Sequence, residues 1–282
     1  MDKIQQIQHY YVNEKLSTVK IAEIMNMSAS TVYHLLKKSN VNIRSNKENS
    51  RKYTCNEQFF KTIDTEEKAY WLGFIYADGY ISNNNLGITL SEIDKDHLYK
   101  FSESIKSTYP INTYKYSGYK DVYGSRVVIK SDMLISDLIH NGVFYNKSLI
   151  LLPPKNIPDN LLMHFIRGYM DGDGSISVSK TKYVDSYKLR FEGTKEILDW
   201  IQLIFKTNCK LQKRNKDNKN SYSLDYGGNI SVLSKLNLIY NNANVFLSRK
   251  YDRYKMLQSL YPVMDNVNRV NSMDSSKEPI SS

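Results

Sequence analysis

Two short stretches of the 282-residue chain place carboxylates and glycines at the end of an apolar run: YADGYIS, Tyr76–Ser82, and MDGDGSIS, Met170–Ser177. In each, an aspartate precedes a glycine, Asp78 before Gly79 and Asp173 before Gly174, and an x-Ile-Ser follows. A carboxylate at the C-terminal end of a helix lies at the negative end of its dipole and costs stability there. Two such carboxylates brought together also repel. A divalent cation between them reverses both effects. A ligand set of hard oxygens without Cys or His points to Mg2+, with Mn2+ as a substitute.

The likeness reaches further back. DTEEKAYWLGFIYADGYIS, Asp64–Ser82, matches DNLLMHFIRGYMDGDGSIS, Asp159–Ser177, offset by offset. Asp64 and Asp159 stand 14 residues before the acid, Gly73 and Gly168 five before, Ala77 and Gly172 one before. Such agreement marks an internal duplication with a period of about 95–105 residues. Each stretch reads as an apolar helix of roughly 20 Å, with Asp64 or Asp159 as N-cap and Gly79 or Gly174 as a left-handed C-cap. Gly73 and Ala77 are four apart, as are Gly168 and Gly172, so each pair lies on one helix face. Small residues there let two backbones approach. The duplication predicts that the two helices pack about a pseudo-two-fold axis, with Asp78 beside Asp173.

WLGFIYADG and FIRGYMDGDG resemble the two signature helices of the LAGLIDADG (dodecapeptide, DOD-type) homing endonucleases in their single-chain, two-motif form. The resemblance covers roughly residues 60–262. At the sixth motif position the first copy carries Tyr76 instead of the family's common acid, and the second keeps Asp171. The resemblance implies an α+β chain of two αββαββα halves whose antiparallel sheets form a saddle over DNA. It implies that Asp78 and Asp173 bind metal, with the backbone carbonyls of Ala77 and Gly172 completing the shell. Asp171 competes with Asp173 for this role, but Asp173 is the one that precedes the cap glycine and matches Asp78. A lysine is implied near each site. Lys147 in GVFYNKS and Lys250 in NVFLSRKYDRY fit by local context, with Arg249 as the alternative in the second half.

The rest of the sequence supplies the elements to position this pair. After Asp78 come two strands around Asn83-Asn84-Asn85, an amphipathic helix, a hairpin and a helix ending at Gly142. After Asp173 the order recurs. Tyrosine, lysine, serine and asparagine recur in the strands, so one sheet face is apolar and the other polar and basic, suited to phosphates and base edges. Lys115, Lys120, Arg126, Lys130, Lys180, Lys188, Arg190, Lys213, Arg214 and Lys216 are the candidate DNA contacts. QKRNKDNKN, Gln212–Asn220, reads as a basic hairpin tip on backbone phosphates, or as a solvated loop.

Residues 1–44 have a different texture. In TVKIAEIMNMSASTVYHLLK, Thr18–Lys37, Ile21, Ala22 and Ile24 line one short helix, Ser28 caps a second, and Val32, Leu35 and Leu36 point inward. This resembles the helix-turn-helix of recombinases and bacterial regulators; the competing reading is a plain helical hairpin. Ser30, Thr31, Tyr33, His34 and Lys37 form the outer face, which can lie in a major groove. VNIRSNKENSRKY follows, and its basic residues, Arg44 among them, can lie along phosphates. The predicted organisation is therefore a helix-turn-helix domain over 1–44, a basic linker over 45–60, halves over 61–155 and 156–262, and an unstructured tail over 263–282.

Charge and composition agree with a polyanionic partner. The chain carries 39 Lys and Arg against 29 acids, a net charge of +10, with 23 tyrosines. Cys55 and Cys209 are far apart and the five histidines are scattered, which excludes a Cys/His zinc site. No apolar run approaches the ~20 residues of a membrane span, and no signal-peptide core opens the chain, so an intracellular protein is expected, in a bacterium, a phage host or an organelle. The leading expectation is a monomeric, site-specific endonuclease cutting both strands of a long, near-asymmetric DNA target. A non-cleaving regulator and an RNA maturase are the alternatives. The resemblance implies that such regulators tend to lack the metal acids, and both are present here. An intein is disfavoured, since nothing resembles a splicing block.

Overall fold

The duplication in the sequence becomes two passes of one chain path in the computed structural model, which describes residues 2–44, 52–118, 120–214 and 220–262. The candidate contact Lys216, the 45–51 stretch of the linker and the 263–282 tail lie outside the described residues. The chain divides into two compact units, Met1–Thr54 and Cys55–Ser282.

The first unit is helical. It comprises α1 (Lys3–Val12), α2 (Thr18–Met25) and α3 (Ala29–Lys38). Ser28 accepts from the Thr31 backbone N–H at 3.0 Å and caps α3. Between α2 and α3 the chain turns at Asn26 in the left-handed region, φ 51°. Ile7 and Tyr11 of α1, a helix the sequence reading passed over, close a core with Ile21, Ala22, Val32 and Leu36. Ile24, expected on the inner face, is instead 47% exposed. Arg44 is tied into this unit: it donates to Lys15 O at 2.7 Å and to Leu16 O, and its guanidinium lies 4.1 Å from the Tyr11 ring centre.

The second unit opens with α4 (Glu66–Ala77), then β1 (Gly79–Ser82), β2 (Asn85–Ser91), α5 (Lys95–Ser104), β3 (Ile111–Lys115), β4 (Tyr123–Ile129) and α6 (Asp132–His140). The second pass runs α7 (Leu162–Asp173), β5 (Gly174–Ser179), β6 (Ser186–Gly193), α8 (Lys195–Ile204), β7 (Gln212–Lys213), β8 (Tyr222–Gly227) and α9 (Asn229–Tyr240). An added helix, α10 (Ser248–Ser259), has no counterpart among the described elements of the first pass. Both sheets are antiparallel with equivalent orders, β1-β2-β4-β3 and β5-β6-β8-β7. The architecture is α+β, αββαββα twice over, with a helical region in front. Asn83 and Asn84 both take positive φ, 48° and 59°, and close the β1–β2 hairpin as its two-residue turn.

Two local expectations are corrected. The N-cap of α4 is Thr65, whose hydroxyl accepts from Lys68 N, while Asp64 pairs with Lys68 Nζ at 2.7 Å. Asp159 begins a 3-10 turn and does not cap α7. Nor is Gly79 or Gly174 a left-handed cap: Gly174 is extended, φ −97°, and each glycine starts a strand. Glycine is needed there because helix runs straight into strand. A Cβ would come within 2.8 Å of Ile75 O at Gly79 and 2.5 Å of Met170 O at Gly174.

Candidate active site

Helices α4 and α7 form the centre of the second unit. Every residue of α4 from Ala69 to Tyr76 is buried, and α7 is buried from Phe165 to Asp171, as expected of helices surrounded by core. Their contact is reciprocal. A Cβ on Gly73 would lie 2.0 Å from Phe165 O and 3.0 Å from Tyr169 N; a Cβ on Gly168 would lie 1.9 Å from Tyr70 O and 2.8 Å from Phe74 N. Each helix uses the same positions on the other, as a two-fold axis requires. One turn further on, a Cβ on Gly172 would meet that of Ala77 at 2.3 Å and Asp78 N at 3.4 Å. The C-terminal ends therefore lie side by side, and each ends in its aspartate.

Asp78 is half-buried and Asp173 faces solvent. Burial, then the charge of Asp173, pushes the Asp78 carboxyl up to about 6. The Asp173 carboxyl is raised as well, because the protein around it withdraws water even though solvent reaches it. Two buried lysines converge on the same helix ends. Lys147 Nζ donates to Ala77 O at 2.7 Å. Lys250 Nζ donates to Met170 O, Asp171 O and Gly174 O at 2.7, 2.6 and 2.6 Å, and to Gly172 O at 3.3 Å. These carbonyls carry the negative end of the dipole, so a cation is favoured there. Burial lowers both lysines, Lys250 to about 8, so Lys250 keeps most of its charge at neutral pH. Arg249 goes elsewhere: its Nε reaches both oxygens of Asp94 at 2.9 Å, tying α10 to the first copy.

No protein-family model matches the sequence, and no curated protein matches it. Solved structures do. The meganuclease I-SmaMI, bound to uncleaveable DNA with a TTGT central four, superposes with a TM-score of 0.51 at 12% identity, over 71% of this chain and 90% of its own. The LAGLIDADG homing endonuclease I-GzeII, in complex with its DNA target, does so with a TM-score of 0.50 at 15% identity, over 76% of this chain and 98% of its own. The chain has the LAGLIDADG homing endonuclease fold.

Within the LAGLIDADG helices the sixth position separates the two copies. Tyr76 donates its hydroxyl to Asn141 O at 2.6 Å and fills the space beside Gly142, where a Cβ would sit 2.0 Å from Tyr76 Oη. Asp171 is buried and accepts from Tyr70 Oη at 2.7 Å, Leu247 N at 2.7 Å and Tyr240 Oη at 3.3 Å. Leu247 is the N-cap of α10, so Asp171 anchors the helix that carries Lys250. A buried ion pair, unanticipated from sequence, joins the copies: Arg167 Nη2 reaches Glu66 Oε1 at 2.6 Å and its other nitrogens reach Val245 O, Ile239 O and His164 Nδ1. Among the described residues no three His, Cys, Asp or Glu side chains gather as a metal cluster, and no helix is long and apolar enough to cross a membrane.

Tyr70 donates to Asp171, so His97 Nε2, 2.9 Å from Tyr70 Oη, must carry the proton of that contact. Burial first, then Lys100, pushes His97 down from 6.5 to about 3. The folded state thus keeps His97 neutral while the unfolded chain protonates it below 6.5. Its contribution to stability is complete above pH 6.5 and is lost as pH falls toward 3, reaching about 2 kcal/mol at pH 5. Urea unfolding at pH 7.5 and pH 5 is expected to show a loss smaller by about that amount in His97→Gln than in wild type. Equal losses would rule this assignment out.

The sheets of the LAGLIDADG fold carry most of the other candidate residues on faces away from the core. In the first sheet Arg126 is exposed over the Tyr114 ring, 5.8 Å from its centre, and Lys115 pairs with Asp121. Lys120 and Lys130 are exposed in the flanking segments. In the second sheet Lys188 and Arg190 pair with Asp225, Arg214 with Glu192, and Lys180 with Asp185, while Lys213 is exposed. Asp225 and Glu192 were missed in the sequence. Their signal was an acid at outward positions of alternating strands. In the helical unit Ser30, Thr31, Tyr33, His34 and Lys37 are all exposed on α3.

Proposed function

We propose that this protein is a site-specific, metal-dependent endonuclease that hydrolyses both strands of a long, near-asymmetric DNA target as an intracellular monomer. The observation that carries this reading is the meeting of Asp78 and Asp173 at reciprocally packed helix ends, with a lysine buried against each end. Neither repulsive acid serves stability there. Both serve a polyanionic reaction that needs charge held between two strands.

The residues fit a divalent cation. Every available donor is a hard oxygen: the two carboxylates, and the Ala77 and Gly172 carbonyls, each of which has a second lone pair beside its lysine bond. Mg2+ suits this set, with Mn2+ able to replace it. A bound divalent ion supplies charge stabilisation at the scissile phosphate and a more acidic water. The chain's own residues do the rest. Asp78 and Asp173 orient that charge, one toward each strand. Lys147 and Lys250, held by carbonyls, offset charge on the phosphate, and Lys147, bonded to one carbonyl, polarises the attacking water. The basic sheet faces hold the duplex in register through its phosphates and read its major groove. The α3 face of the helical unit, with Ser30, Thr31, His34 and Lys37, adds a second groove contact and lengthens the footprint.

The test is cleavage of a randomised duplex library by the full chain with Mg2+. Breaks at one defined sequence, abolished by chelator and restored by Mg2+ or Mn2+, are expected. Sequence-selective binding with no metal-dependent break would favour the regulator reading.

A further inference from the structure

The strand registers equate positions in the two sheets and so reveal what the sheets do not share. Counting from the acid–glycine pairs, Tyr80↔Gly87 in the first sheet corresponds to Ser175↔Arg190 in the second. On the next strand, Gly87↔Val128 corresponds to Arg190↔Asp225. Each row begins two residues beyond an acid of the proposed site. Each lies on the face away from the core, since Ile81, Ile88, Val127, Ile176, Leu189 and Leu224 are buried between them. These are the first outward-facing positions of the strands that leave the two acids.

Their chemistry is opposite. In the first sheet the Tyr80 ring lies across Gly87, where a Cβ would fall 2.2 Å from Tyr80 Cζ, and Val128 stands beside it, 37% exposed. That row is apolar. In the second, Arg190 makes a fork with Asp225, Nε to Oδ1 at 2.6 Å and Nη2 to Oδ2 at 3.0 Å, and Lys188 Nζ reaches Asp225 Oδ2 at 3.0 Å. A guanidinium has five donors. The fork engages Nε and one hydrogen of Nη2, along the side of the group. The end-on hydrogens of Nη1 and Nη2 are left, as a parallel pair. That pair matches the O6 and N7 acceptors of guanine, and fixing the guanidinium beforehand removes most of the entropy that ordering a free arginine would cost. An apolar surface beside a major groove matches the thymine methyl.

Resting on the endonuclease reading, we infer that the two copies read the base pairs flanking the cleavage centre by different chemistry. Arg190, positioned by Asp225, reads a guanine on the second copy's side. The Tyr80–Val128 surface contacts a thymine methyl on the first copy's side. The target is then asymmetric up to its centre, although the helices that carry the acids are related by pseudo-symmetry.

The experiment selects duplexes bound by the full chain from a randomised pool in chelator, so that binding is read without cutting. Wild type is expected to fix one G·C pair that Asp225→Asn relaxes about tenfold to a hundredfold, with the other positions unchanged. Arg190→Gln is expected to turn that position toward A·T, since glutamine matches adenine. Tyr80→Ser is expected to relax a T·A pair on the opposite side. Variant pools identical to a sequence-selective wild-type pool would overturn the inference alone. A change spread evenly over all positions would also overturn it, assigning Arg190 and Asp225 to structure. A wild-type pool without any enriched sequence would overturn the DNA-recognition reading and this inference with it.

Discussion

Asp78→Asn is expected to reduce double-strand cleavage by on the order of a thousandfold, equivalent to about 4 kcal/mol of transition-state stabilisation. The substitution keeps the shape of the side chain and removes the negative charge and one hard ligand oxygen. Asp173→Asn is expected to act likewise on the other strand, so a single variant produces residual nicks and no linear product from a supercoiled target. Folding is not the cause. Burial and the charge of Asp173 push the Asp78 carboxyl up to about 6, so the ionised form is the strained one above that pH. Removing its charge relieves repulsion, and the metal-free variant is expected to unfold at a urea concentration no lower than wild type at pH 7.5. Wild-type stability with lost cleavage separates function from fold. Cleavage within tenfold of wild type would remove Asp78 from the machinery.

Gly168→Ala is expected to destabilise the second unit by about 2 kcal/mol or more, the size of an overpacked core. Two effects oppose each other here. Alanine in a helix interior is favoured over glycine by about 1 kcal/mol. Against that, the new methyl would lie 1.9 Å from Tyr70 O and 2.8 Å from Phe74 N, which are backbone atoms of a helix and cannot rotate away. Relief requires α4 and α7 to separate, which also moves Asp78 away from Asp173. The clash wins. Gly227→Ala is the control, because a Cβ there meets nothing within 4 Å. Urea unfolding of both variants tests the contrast, and a stabilised Gly168→Ala protein would contradict the close approach.

The α4–α7 pairing was readable because its signal is local. Acid, glycine and small residue sit within one turn of each other, and helical spacing alone puts Gly73 with Ala77 and Gly168 with Gly172 on one face. The α3 cap at Ser28 was readable for the same reason, since the bond from Thr31 N spans three residues. Thr65 took the cap expected at Asp64 because adjacent polar residues compete for it, and the one whose neighbour Lys68 draws its side chain outward loses.

What the sequence determined by itself is the duplication, its two acids, the alternating strands that become two antiparallel sheets, and the basic excess. Each of these is a pattern of spacing or composition within a segment. Tertiary structure alone decided which cations meet which anions. Lys250 reaches the carbonyls at the end of α7 across 76 to 80 residues, Arg167 finds Glu66 across 101, and Arg190 finds Asp225 across 35. No periodicity encodes such pairs. They are selected when packing removes water and leaves each charge only those partners that the fold brings within hydrogen-bond reach.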